Sequence, residues 1–115
     1  VTAKIIEETI RALEDVPAAI AAVPATSTIK RVNPQDLIVD VTLNRQLLWE
    51  VQTPQVFQRD IICRAHAEAM NTDATDDAYL VECLRLPVKV VMSDYRNIKI
   101  TTSQDLQTAE RLLEG

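Results

Sequence analysis

Ala18-Ala19-Ile20-Ala21-Ala22-Val23 is an unbroken apolar run between Pro17 and Pro24. Its length and framing predict a strand buried on both faces, as in parallel sheets, although alanine is a poor strand former. Such a strand needs cover on two sides, so the expected fold class is α/β. The run is far too short to span a bilayer and lacks the charged start and cleavage pattern of a signal peptide. No membrane partner is expected.

On either side of this run, apolar periodicity and turn chemistry alternate helix and strand. Ile5, Ile6, Ile10 and Leu13 recur at helical spacing, with Thr2 placed as N-cap and Pro17 beyond the end. After Thr26-Ser27-Thr28, short strands are expected at 29–32 and 37–41 around the turn-forming Asn33-Pro34-Gln35-Asp36. Asn44-Arg45-Gln46 reads as a corner. Trp49 to Thr53 alternates apolar and polar, and Pro54, which has no backbone donor, is expected to end that strand. Residues 26–53 thus form a β-arm leaving the body.

Downstream of Pro54, Phe57, Ile61, Ile62, Ala65 and Ala69 mark one helix face. Thr75 is placed to cap a second helix, with Asp76 and Asp77 favourable in its first turn and Pro87 closing it. Strands are expected at 88–92 and 98–100. Thr102 and Asp105 form a capping box ahead of Leu106, Ala109, Leu112 and Leu113.

A chain of 115 residues, 47% hydrophobic and 25% charged, is long enough for one core, so residues 1–115 are read as a single soluble domain. The net charge of −5 argues against nucleic-acid binding, and any anion site must be local. The single glycine, Gly115, rules out a Gly-rich phosphate loop within this chain. Cys63 and Cys83 make no CxxC pair, and one histidine does not complete a structural zinc set with them. Both read as reduced thiols of a cytoplasmic protein. His66 has no serine or cysteine constellation nearby and reads as a surface or packed residue. Since Val1 is not a Met, it is not expected to be the start of translation.

Three motifs, in order, carry a resemblance: Trp49 with Gln52-Thr53-Pro54-Gln55 and Phe57, then Thr75-Asp76-Asp77-Ala78, then Asn97-Ile98-Lys99-Ile100-Thr101-Thr102. From about Val1 to Leu113 the chain resembles the C-terminal half of the 2-C-methyl-D-erythritol 4-phosphate cytidylyltransferase family. The resemblance implies the C-terminal part of a Rossmann-like nucleotidyltransferase sheet, with helices on both faces and a protruding β-arm that forms a homodimer. It implies a reaction of CTP with methylerythritol phosphate that releases pyrophosphate, in non-mevalonate isoprenoid biosynthesis, with Mg²⁺ in the complete enzyme.

By resemblance, Lys99 contacts the nucleotide's phosphates, and Arg45 reaches across the dimer to the methylerythritol phosphate group in the partner's site. Thr28, Thr53 and Thr75 would hydrogen-bond that same phosphate. Without the resemblance, Lys99 is a solvated edge-strand lysine, Arg45 a mobile surface residue, and the threonines turn or cap residues. Asp94 and Asn97, on the loop before Lys99, offer oxygen ligands for Mg²⁺.

The chain departs from the family at Ser27 and Asn44, where Asp is usual, at Leu47, where Gly is usual, and before Pro87, where a Gly is absent. The family's Gly-rich nucleotide loop, its following lysine and a metal-holding aspartate belong to the other half, so this chain alone is expected to be inactive. Two alternatives stand beside this reading: a non-catalytic dimerisation module, and a cytidylyltransferase for another polyol phosphate such as ribitol 5-phosphate.

Overall fold

The computed structural model describes residues 1–69 and 74–114. At its centre is β1, Ala18–Pro24, in which Ala18, Ala19, Ala21 and Ala22 are wholly buried and Ile20 and Val23 nearly so. Successive strand side chains point to opposite faces, so burial of all of them means that both faces are covered, as predicted. β1 pairs in parallel with β5, Val88–Met92, and antiparallel with β4, Trp49–Phe57. The sheet is therefore parallel along one edge of β1 only.

β4 corrects the expectation of an end at Pro54, since it continues through the proline to Phe57. The missing donor is absorbed by a register break: Ile20 pairs with Gln55 but Ala22 with Val51, leaving residues 52–54 as an irregularity opposite Ala21. Phe57, expected on a helix, is the strand partner of Ala18. The alternation expected over 49–53 is also inverted, for Val51 is exposed and Gln52 is partly buried. The polar amide turns inward because it has partners there.

Helix α1, Ala3–Ala12, starts as expected, with Thr2 Oγ1 accepting from the Ile5 N–H at 3.3 Å. It lies against β1, β4 and β5 through Ile5 and Thr9, while Ile6 and Ile10 stay exposed. Thr9 is tolerated in the core because its hydroxyl donates to the Ile5 carbonyl. Helices α2, Arg59–Glu68, and α3, Asp77–Cys83, pack on each other, and α3 also packs on β1 and β5. Ala18, Ala65, Leu80 and Val81 form a buried cluster there, with Phe57, Ile61 and Val88 packed around it.

Helix α3 ends through a residue the sequence does not flag. Arg85 sits just past the cap at φ 62°, with its N–H donating to the Glu82 carbonyl at 2.8 Å. Glycine is favoured at this left-handed position because any Cβ crowds the carbonyl, at about 1–2 kcal/mol. Arg85→Gly is accordingly expected to stabilise the protein by about 1 kcal/mol, read as a raised denaturant midpoint at unchanged slope. An unchanged or lowered midpoint would contradict strain at Arg85.

β2, Lys30–Val32, and β3, Val39–Thr42, pair antiparallel in a separate two-stranded sheet whose residues are all exposed. The second strand starts later than expected because Leu37, at φ 59°, closes the preceding turn by donating to the Asn33 carbonyl at 2.8 Å. At the corner, Asn44 Oδ1 accepts from the Gln46 N–H and begins a 3₁₀ turn, Arg45–Leu47.

The last helix, α4, Ser103–Glu114, opens on the predicted capping box. Thr102 Oγ1 accepts from the Asp105 N–H, and Asp105 Oδ2 accepts from the Thr102 N–H, both at 3.1 Å. Hydrogen bonds from Thr101, its hydroxyl first, and then from Thr102 hold the Asp105 carboxyl below the usual aspartate range. Among the described residues no helix is long and apolar enough to cross a membrane.

Candidate functional site

The bulge in β4, the start of α3 and the loop after β5 converge beside the carboxyl end of β1. They enclose a cavity of about 530 Å³ whose lining includes Val23, Thr53, Gln55, Thr75, Asn97 and Lys99. Such a crevice, outside the carboxyl ends of parallel strands, is where open α/β sheets bind ligands. Four of the candidate site residues from the sequence, Lys99, Thr53, Thr75 and Asn97, therefore line one cavity. Thr28 and Arg45 lie outside it.

Lys99 is not on a strand: residues 98–100 have no ladder pairing, Ile98 is half-buried, and Ile100 is exposed. The strand expected at 98–100 does not form, because no neighbouring strand among the described residues pairs with this segment. Lys99 itself is exposed and makes no ion pair among the described residues. An ammonium without a carboxylate partner, facing a cavity lined by the Thr53 and Thr75 hydroxyls, suits an anionic oxygen.

Thr75 is not the cap of α3, as was expected. Asp76 fills that position, with Oδ1 accepting from the Tyr79 N–H at 2.9 Å, and Oδ2 accepts from Gln55 Nε2 at 3.2 Å. A carboxylate wins the cap because it also meets the positive end of the helix dipole. That leaves the Thr75 hydroxyl exposed at the cavity. Although Asp76 lines the same cavity, both of its oxygens are already engaged.

Asn97 is one of two buried polar residues among those described, at 8% exposure. Its Nδ2 donates to the Thr53 carbonyl at 2.6 Å, to Gln52 Oε1 at 3.0 Å and to Ser93 Oγ at 3.3 Å. Gln52 Nε2 in turn donates to the Asp94 carbonyl at 3.1 Å. The inward role of Gln52 was missed in the sequence. Its only trace there is a glutamine on each side of Thr53-Pro54 in an otherwise largely apolar strand.

Asp94 and Asn97 do not by themselves fit Mg²⁺. The Asp94 carboxylate is paired with Arg96, at 3.2 and 3.3 Å to its guanidinium and 2.7 Å to its backbone N–H. The side-chain bond from Arg96 comes first in holding the Asp94 carboxyl below its usual range. Asn97 presents its amide nitrogen to protein acceptors. Mg²⁺ demands near-octahedral oxygen ligands, and among the described residues no group of three or more His, Cys, Asp and Glu is placed to hold a metal.

Arg45 is exposed and donates to the Thr26 carbonyl at 2.7 Å, which aligns its guanidinium with the corner. His66 Nε2 lies 3.1 Å from Asp77 Oδ1 at the surface, bridging α2 and α3, in keeping with a structural residue. Cys63 and Cys83 are free thiols.

The family model described as IspD, 2-C-methyl-D-erythritol 4-phosphate cytidylyltransferase, matches residues 1–115. The curated protein of that name from Dehalococcoides mccartyi is 54% identical over 96 residues, covering 84% of this chain and 41% of that protein. Its namesake from Syntrophus aciditrophicus is 49% identical over 116 residues, covering 99% of this chain and 49% of that protein. Among solved structures, 4-diphosphocytidyl-2C-methyl-D-erythritol synthase from Anaerococcus prevotii aligns with a TM-score of 0.87 at 35% identity, covering 97% of this chain and 52% of that one. The chain spans about half the length of the curated relatives it matches.

Proposed function

Because the chain belongs to the 2-C-methyl-D-erythritol 4-phosphate cytidylyltransferase family, we propose that it is the substrate-binding, dimer-forming half of such an enzyme. The reaction joins CTP and 2-C-methyl-D-erythritol 4-phosphate: an oxygen of the substrate's phosphate attacks the α-phosphorus of CTP. The new bond gives 4-diphosphocytidyl-2-C-methyl-D-erythritol, and the broken one releases pyrophosphate. No protein nucleophile takes part. The work left to the protein is positioning the two phosphates and neutralising their charge.

The observation that carries this reading is the meeting of Lys99, Thr53 and Thr75 on one cavity at the carboxyl end of β1. Lys99 offsets phosphate charge from its own subunit, while Thr53 and Thr75 donate hydroxyl hydrogen bonds to the methylerythritol phosphate. Arg45, outside that cavity, would serve the same phosphate from the neighbouring subunit, with Thr28 as a further hydroxyl. A guanidinium fork suits a phosphate because it donates two parallel charge-assisted bonds. Exposed Leu37, Ile38 and Val39 on the β-arm favour cover by a second copy. The complete enzyme would work in the cytoplasm with Mg²⁺, which would help to neutralise phosphate charge.

The test is a calorimetric titration of methylerythritol phosphate into the chain preceded by an N-terminal half of the kind its relatives carry. Binding that weakens as salt is raised, and is not displaced by ribitol 5-phosphate, is expected. A protein acting only as a dimerisation module would give no heat at either salt concentration.

A further inference from the structure

Lys99 lies in a span whose side-chain hydrogen bonds, among the described residues, fall at its two ends. On one side is Asn97, whose amide bonds reach β4. On the other is Thr101, whose N–H and hydroxyl both donate to Asp105 Oδ2, at 3.1 and 2.9 Å. Between them Ile98, Lys99 and Ile100 have no strand pairing. The second anchor lies away from the cavity, on α4, whose residues are at most half-buried. The first is bonded directly to the cavity wall, at Gln52 and at the carbonyl of Thr53.

We infer that Asn97 and Gln52 form a two-amide clasp that sets the distance between the Lys99 ammonium and the Thr53 hydroxyl, which makes both of them positioning residues. This rests on the functional reading above. Each amide works in both segments. Asn97 donates from the loop to Thr53 and Gln52, and Gln52 donates back to the Asp94 carbonyl, so the loop and the β4 bulge are tied at two points. Such closed side-chain networks are stiff when every member is satisfied. The clasp also explains why β4 buries Gln52 in preference to Val51. A positively charged side chain on a four-carbon stem is mobile by itself, and fixing its backbone is the means left to aim it.

The test measures pyrophosphate release by the chain preceded by an N-terminal half of the kind its relatives carry. Asn97→Ala is expected to lower kcat roughly 10- to 100-fold, the scale of a misplacement of about 1 Å, with KM for methylerythritol phosphate little changed. In a Lys99→Ala background the same substitution should add almost nothing, because its effect passes through the ammonium. Gln52→Ala, at a less buried position, should act in the same direction by a smaller factor, and it stands in if Asn97→Ala does not fold. Equal losses in both backgrounds, or an undiminished kcat for a folded variant, would overturn the clasp. An undiminished kcat for Lys99→Ala alone would instead overturn the functional reading on which it rests.

Discussion

Replacing Lys99 with Ala is expected to lower turnover of the complete enzyme by roughly 10²–10³-fold, on the scale of losing one preorganised donor to a developing oxyanion. The expectation follows from where the residue sits. Lys99 is exposed at the cavity with no carboxylate partner among the described residues, so no competing ion pair has to be broken before a phosphate is met. Negative charge grows on the departing pyrophosphate as its bond to the α-phosphorus breaks, so an ammonium aimed at the nucleotide's phosphates stabilises the transition state more than the bound substrates. The loss should therefore fall mainly on kcat. Lys99→Arg should recover only part of it, since a planar fork does not place its charge where a compact ammonium does. Unchanged turnover for a folded Lys99→Ala enzyme would remove the residue from the reaction.

Much of this arrangement could be read from residue order, and each exception has its own physical reason. The apolar run at β1, the Thr2 cap and the Thr102–Asp105 capping box are local signals, and each appears as expected. Pro54 and Ile98-Lys99-Ile100 were misjudged because strand identity depends on a partner, and partners are not local. Ala22 and Ile20 pair around the proline, whereas nothing described pairs with 98–100. Asp76 displaced Thr75 from the cap by the advantage of charge over hydroxyl, a contest between neighbours that a one-residue shift decides. Arg85 in the left-handed region was hidden because the chain places no glycine there to announce it.

The site divides along the same line. Lys99, Thr53 and Thr75 were marked by the family resemblance carried by their motifs, and they share a cavity. Asn97 stood in one of those motifs too, but as a metal ligand. Its burial against Gln52 and the Thr53 carbonyl depends on the bulge at residues 52–54, which no spacing in the sequence discloses.

Arg45 carries the second large expectation, since it lies outside the cavity of its own chain. Arg45→Ala is expected to cost roughly 10- to 100-fold in kcat/KM, the range for losing charge-assisted hydrogen bonds to a phosphate. Two homodimers, Lys99→Ala and Arg45→Ala, should each be impaired. Their mixed dimer distinguishes the assignments by symmetry. With Arg45 acting across a twofold, one of the two sites inherits both lesions and the other inherits none. The measurement is the turnover of that mixed dimer, purified through a different tag on each subunit. Recovery to roughly half the wild-type rate per dimer is predicted, from its one intact site. A rate no higher than that of the parent variants would contradict the account, because it would mean that the lysine and the arginine do not serve one active site from two subunits.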